Sequence, residues 1–234
     1  MTGGVARFLT LVSFVCPFAL CCSLVTAPAA TQQSQSYAVQ PAPTLPFFDW
    51  NACPFEGCTY GKWTADASVD VFDTWKPRRK RIATLLAKSV VTGISGVVIT
   101  YKPGVIRLNR DMPQDLLRRG DMILTYTYRG EGFSAVWFKG RFYREYDITF
   151  TRWPDGTGCL GTDCAGTYVD LGKKTWWAKV RMGSGVVGWV NMDKAEFEGV
   201  DTLAFIAPAS RSLVICALRH WRDMANRSQT PRRG

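Results

Sequence analysis

Eight cysteines, a single histidine and scattered carboxylates carry the reactive chemistry of this 234-residue chain. CPFEGC (Cys53, Cys58) and CLGTDC (Cys159, Cys164) each hold two thiols apart by a short span containing a glycine. Extended, such a span separates its Cα atoms by about 17 Å, whereas a disulfide needs roughly 4.4–6.8 Å. A turn must therefore close each loop, and Gly57 and Gly161 ease it. In an oxidising compartment the pairs form local disulfides, each contributing about 2 kcal/mol on the chain-entropy estimate. The same spacing also suits a four-thiolate zinc site. Neither role is catalytic. His220 is the one imidazole, which all but removes the common His-dependent hydrolases and multi-histidine metal sites.

Two groups of acids, Glu131/Glu145/Asp147 and Asp193/Glu196/Glu198, lie close in sequence. A glycosidase needs one acid in an apolar pocket and a partner at fixed separation, a geometry that spacing along strands does not report. Most of these acids flank turns, as solvated charges do. A carboxylate-based cell-wall hydrolase working through Glu131 or Glu145 is the enzymatic alternative. No phosphate-cradling glycine loop, nucleophile elbow or calcium loop occurs. The expectation is a protein that is not an enzyme and uses no cofactor or metal.

Positioning begins with the compartment. Composition is globular, 47% apolar and 13% aromatic. Arg7 precedes the apolar run FLTLVSFVCPFALCCSLV, and Ala27-Pro28-Ala29 supplies small residues behind it. This reads as a secretory signal cleaved after Ala29; the alternative is a retained membrane anchor interrupted by Pro17. Three cysteines leave with the signal and Cys216 stays unpaired. The formal charge is +10, half of it in the tail from Ala207, where six arginines face Asp223. The other basic cluster is KPRRKR, Lys76 to Arg81. In an exported chain such runs solvate loops or meet anionic envelope polymers and headgroups; nucleic acid is not expected.

Thr31 to Pro46 is uncharged and rich in Gln, Ser and Pro, a tether. Beyond it, Val69–Trp75, Val90–Thr100, Gly104–Leu108, Asp121–Tyr128, Ser134–Tyr143 and Asp147–Thr151 have the texture of strands, with RGEG and KGR as turns and MPQDLLRRG as a helical turn. In WWAKVRMGSGVVGWV, Trp176, Ala178, Val180 and Met182 fall on one face and Trp177, Lys179 and Arg181 on the other. Gly183-Ser184-Gly185 then reverses the chain, giving a hairpin with an apolar and an aromatic-basic face. Gly188 marks a place where another backbone comes close. The tail SLVICALRHWRDMANR sets Val214, Leu218, Trp221 and Ala225 opposite Arg219, Arg222 and Arg227, a basic amphipathic helix. It would dock on the barrel or touch an anionic membrane peripherally.

WAKVRMGSGVVGWV resembles the closing hairpin of bacterial SH3-like domains, where a Trp-x-Lys-Val strand turns through glycine into Gly-Trp-Val. VDVFDTW followed by IATLLAKSVVTGISG resembles that family's opening strands, and LLRRGDMILTYTYRGEGFSAVWFKGRFY looks like a second, more divergent unit. The strand texture makes the body all-β, and the resemblance implies one or two small barrels within it; with the segments read above, the chain divides into signal 1–29, linker 30–48, first half or barrel 49–103, second β unit or insertion 104–170, closing hairpin and strand 171–206, and basic tail 207–234. Tandem barrels and one barrel interrupted by the middle segment both fit. The chain has KPRRKR where eukaryotic SH3 domains carry an acidic loop, which argues against reading basic proline-rich peptides. Family ligand grooves are built from barrel-face aromatics, so the resemblance points to Trp177, Trp176 and Trp75, with Lys179 and Arg181 alongside and Tyr101 and Tyr126 behind. Trp177 is the expected exposed ring and Trp189 is expected to pack. The function implied is an exported, periplasmic or extracellular, non-catalytic module holding a cell-wall polymer or an envelope protein. The alternative is a structural or assembly protein that binds a protein partner.

Overall fold

The computed structural model describes residues 39–159 and 163–201 of the chain. The expected signal, most of the expected tether, and the basic tail with its expected helix and Cys216 lie outside the described residues. What is described is all-β, apart from one 3-10 turn at Pro113–Asp115 within MPQDLLRRG.

Two sheets divide the strands. The first comprises β1 (Phe47–Trp50), β2 (Lys62–Ala65), β3 (Val69–Phe72), β4 (Arg81–Leu85), β5 (Val90–Lys102), β12 (Lys173–Met182), β13 (Val187–Asn191) and β14 (Phe197–Glu198), ordered β14-β2-β5-β12-β13-β3-β4 with β1 also on β5. The second comprises β6 (Gly104–Leu108), β7 (Met122–Gly130), β8 (Phe133–Phe138), β9 (Arg141–Asp147), β10 (Thr151–Arg152) and β11 (Gly166–Asp170), ordered β10-β11-β6-β7-β8-β9. Strand β5 pairs antiparallel with β12, and β13 with β3. The opening and closing segments thus build one sheet, and the segment between β5 and β12 builds its own. This is the interrupted arrangement, not two units in tandem.

The first sheet curls. Leu85 from β4 and Phe197 from β14, at opposite ends of the strand order, share one core with Trp63, Val71, Val98, Trp176, Ala178, Val180 and Val190. β5 shows how. Its first half alternates exposed and buried residues, as a strand with one wet face does, while Gly96 to Thr100 is buried throughout. There Val98 faces the inner core, and Val97 and Ile99 face an outer cluster with Trp177. A Cβ on Gly96 would stand 2.3 Å from the Tyr60 hydroxyl oxygen and 2.8 Å from Trp176 Nε1, so only hydrogen fits under those rings.

The hairpin forms as read. Lys179 lies opposite Trp189 and Val180 opposite Gly188, and Met182 N donates to the Val186 carbonyl at 2.9 Å across the glycine bend. A Cβ on Gly188 would meet Val71 Cγ1 at 2.4 Å and the Phe72 carbonyl at 2.9 Å, which is the approach of β3 expected there.

Elsewhere the structure departs from the sequence reading. Asp147–Thr151 is not a strand: the Asp147 carboxylate accepts from Thr149 N at 2.8 Å and from its hydroxyl at 2.6 Å, an Asx-type turn that competes with a ladder. The Lys139-Gly140 turn divides Ser134–Tyr143 between β8 and β9. The end of the tether is docked, since Gln40 N donates to the Gly140 carbonyl and Trp137 Nε1 donates to the Gln40 carbonyl. The sheets meet at Thr100, whose hydroxyl donates to the Tyr126 carbonyl at 2.9 Å, and at an Arg129–Asp49 ion pair of 2.9 Å.

Both cysteine pairs are disulfides, with Cα atoms 5.5 Å apart in Cys53–Cys58 and 5.8 Å in Cys159–Cys164. Each pair is closed upon itself, which takes up the thiols a zinc site would use. The pairing accords with an oxidising, exported setting. Among the described residues no helix is long and apolar enough to cross a membrane.

Candidate functional site

The outer face of the curled sheet follows from its register. Phe48 and Trp50 of β1 stand opposite Ile99 and Val97 of β5; Val97 stands opposite Trp177 of β12; Lys179 stands opposite Trp189, and Trp189 opposite Phe72 of β3. Because side chains alternate, these residues share the face turned away from the inner core. Trp177, Val97 and Ile99 are buried there, with Phe72, Trp75 and Trp189 packed on them.

Trp177 is therefore not the exposed ring. It is 3% exposed, because Phe72 meets it edge-on at 5.9 Å and the Arg79 guanidinium lies 4.7 Å from its ring centre. The alternation along β12 is as read, but the KPRRKR loop folds over that face. Asp73 holds the loop by accepting from Lys80 N at 2.8 Å. Trp176 is also buried, in the inner core against Phe55 at 5.8 Å. Tyr126 is 1% exposed between the sheets, edge-on to Phe47 at 5.1 Å. These two point away from the outer face. Trp189 is half-buried in the outer cluster, consistent with packing.

What the face presents to solvent is a different set. Trp50 is 53% exposed and Phe48 36%; Trp75 is half-buried, 5.3 Å from Phe48 and 5.8 Å from Trp50. Lys76 Nζ stands 5.8 Å from the Trp75 ring centre. Tyr101 is exposed on the same face; burial raises its hydroxyl pKa, Arg79 opposes the rise and Asp193 adds to it. Lys179 is half-buried and Arg181 exposed, farther along β12. The structure thus keeps Trp75, Tyr101, Lys179 and Arg181 at the surface, turns Trp177 into a buried floor, and adds Phe48, Trp50 and Arg79. The missed signal was the alternation in FFDW (Phe47–Trp50), hidden by the Pro-rich stretch before it.

Such a face can do two things chemically. Flat rings stack on sugar or other ring faces with little loss of rotamer freedom, and guanidinium and ammonium groups pair with carboxylate or phosphate. Among the described residues, the two groups of acids singled out in the sequence form no comparable array on this face. Asp193 accepts from the Thr175 hydroxyl and from Trp176 N, fastening β12 to the end of β13. Glu145 is exposed on β9, and Glu131 lines a separate cleft. Comparison with known proteins finds no family model, no curated protein and no solved structure that matches this chain.

Proposed function

We propose that this protein is an exported, non-catalytic, SH3-like binding module that works at the bacterial cell envelope and holds an anionic wall polymer on the outer face of its first sheet. The observation that carries this reading is the cluster of exposed Phe48 and Trp50 with half-buried Trp75, bordered by the KPRRKR loop. Rings and cations together suit a polymer that has both sugar faces and negative groups. The disulfides support an oxidising location, and the glycine-bent hairpin supports the SH3-like comparison.

Cosedimentation of the full chain with purified sacculi tests it. Saturable retention is expected, falling as salt rises because screening weakens the cationic contribution. Trp50→Ala and Trp75→Ala should each weaken retention by about tenfold or more, on the ring-contact scale of hot-spot residues. Retention that is absent, or unchanged in both variants, would overturn the proposal.

A protein partner is the second reading, and one feature favours it. Strand β4 ends the first sheet's order beside β3, with Ile82 43% and Leu86 70% exposed. An open strand edge with apolar neighbours can accept a strand from another chain. Crosslinking in cells would then give one dominant protein adduct through β4.

A further inference from the structure

The KPRRKR loop joins β3 to β4 and is fastened across its base. Asp73 N donates to the Lys80 carbonyl at 3.0 Å, and Lys80 N donates to the Asp73 carboxylate at 2.8 Å. Within the loop, Pro77 and Arg78 form a turn, and the proline locks its own φ. This frame sets the Arg79 guanidinium 4.7 Å from the Trp177 ring centre and 5.2 Å from that of Phe72. Stacking on rings uses the faces of a guanidinium and leaves its N–H donors, which lie in the plane. Arg79 is exposed, and among the described residues it makes no hydrogen bond or ion pair. Other cations of the body are paired: Arg81 with Asp70 at 3.3 Å, Arg129 with Asp49 at 2.9 Å and Lys139 with Asp121 at 3.0 Å. Those hold the fold together. Arg79 is a fork set in place by two rings, with no anion of the described chain in its grip.

The surroundings say what such a fork would meet. Trp75 packs in the same outer cluster as Phe72 and Trp177, and it reaches Phe48 and Trp50, whose rings lie 19° from parallel. A flat aromatic floor therefore runs up to the guanidinium, and flat rings stack on sugar faces. Tyr101, whose hydroxyl pKa the Arg79 charge holds down against burial, adds a phenol within reach of that charge. Lys179 and Arg181 follow Trp177 along β12 in two-residue steps of about 6.8 Å, further cations for a polymer that repeats its acid. A planar fork matches the two coplanar oxygens of a carboxylate. Phosphate is tetrahedral and is served as well by the point charge of a lysine, so it gives no reason for a flat group laid against rings. Resting on the function proposed above, we infer that Arg79 is the residue that takes the polymer's negative group, and that this group is a carboxylate carried on a sugar ring.

The test measures retention of the full chain at physiological salt on three forms of sacculi: untreated, with carboxylates capped as neutral amides, and with phosphodiesters removed by hydrofluoric acid. Capping should weaken retention by about tenfold or more, the scale of a charge-assisted hydrogen bond, and phosphate removal should leave it unchanged. Arg79→Lys keeps the charge and loses the fork; it should weaken retention on untreated sacculi by about tenfold and make it indifferent to capping. A purely structural role would lower retention on untreated and capped sacculi by the same factor. Arg110→Lys, in the acidic cleft that Glu56, Glu131 and Asp163 line beside the second sheet, should change nothing. Soluble polygalacturonate should displace the chain at about tenfold lower concentration than polyglutamate, because only the first offers its carboxylates on rings that can stack. The capping and displacement arms use the unaltered chain and decide the question if Arg79→Lys disturbs folding. No retention on untreated sacculi would remove the proposed function and this inference with it. Retention that survives capping, falls with phosphate removal, is untouched by Arg79→Lys or yields equally to polyglutamate would overturn the inference alone.

Discussion

Two tryptophans that both stand opposite Val97, Trp50 on β1 and Trp177 on β12, carry opposite duties, and substitution separates them. Trp177 is a buried floor, so Trp177→Ala should cost about 3–5 kcal/mol, as large-to-small core changes do. Trp50 is half in solvent, and Trp50→Ala should cost less than about 1 kcal/mol while removing ligand contact. Urea unfolding of both variants, run beside sacculus binding, checks the split. A Trp50→Ala change that unfolds the protein would make the exposed cluster a packing feature. Gly96 gives a second residue-scale case: Gly96→Ala pushes a methyl group into the Tyr60 hydroxyl and the Trp176 indole. Overpacking of this kind costs about 1–3 kcal/mol, to be read as a lower unfolding midpoint.

At the scale of elements, the two disulfides close loops that would otherwise be held by few strand contacts. Replacing Cys53 and Cys58 with serine should lower stability by about 2 kcal/mol, with the same m-value by urea titration, if the loop has no other role in the folded state. How far the elements were legible varies with how local their causes are. The β12–β13 hairpin could be read because its alternation, glycine bend and Gly188 are all local facts, confirmed by the register. The burial of Trp177 could not, since the residue that covers it, Arg79, sits far away in sequence on a loop that looks like a solvated basic run. The turn at Asp147 was misread for a related reason. DITFT has strand-like composition, and only the hydrogen bonds from Thr149 to the Asp147 carboxylate show why it bends. β1 was hidden because its partner, β5, lies about fifty residues on.

For the whole molecule, burial of titratable groups sets the pH profile. Burial pushes Lys174 down to about 8, with Asp170 opposing it; its Nζ donates to the Leu171 carbonyl at 3.0 Å. An unfolded lysine titrates near about 10.4, so between those values the unfolded chain binds more protons and stability rises with pH. Buried Tyr60 and Tyr128 are raised to about 12. Above about pH 10, unfolded phenols lose protons that these keep, and stability falls. A urea midpoint series should therefore climb from about pH 8, peak near about pH 10 and then drop, with the climb absent in Lys174→Met. The charge layout gives the molecule two unlike surfaces, an aromatic-basic sheet face and an acidic cleft. In the proposed function, the first of these surfaces meets the ligand. Oxidative footprinting of tryptophan, with soluble wall fragments present and absent and read by mass spectrometry, addresses it directly. Protection centred on Trp50 and Trp75, with Trp153 unchanged, is the predicted result; undiminished oxidation of Trp50 and Trp75 at saturating fragment would contradict it.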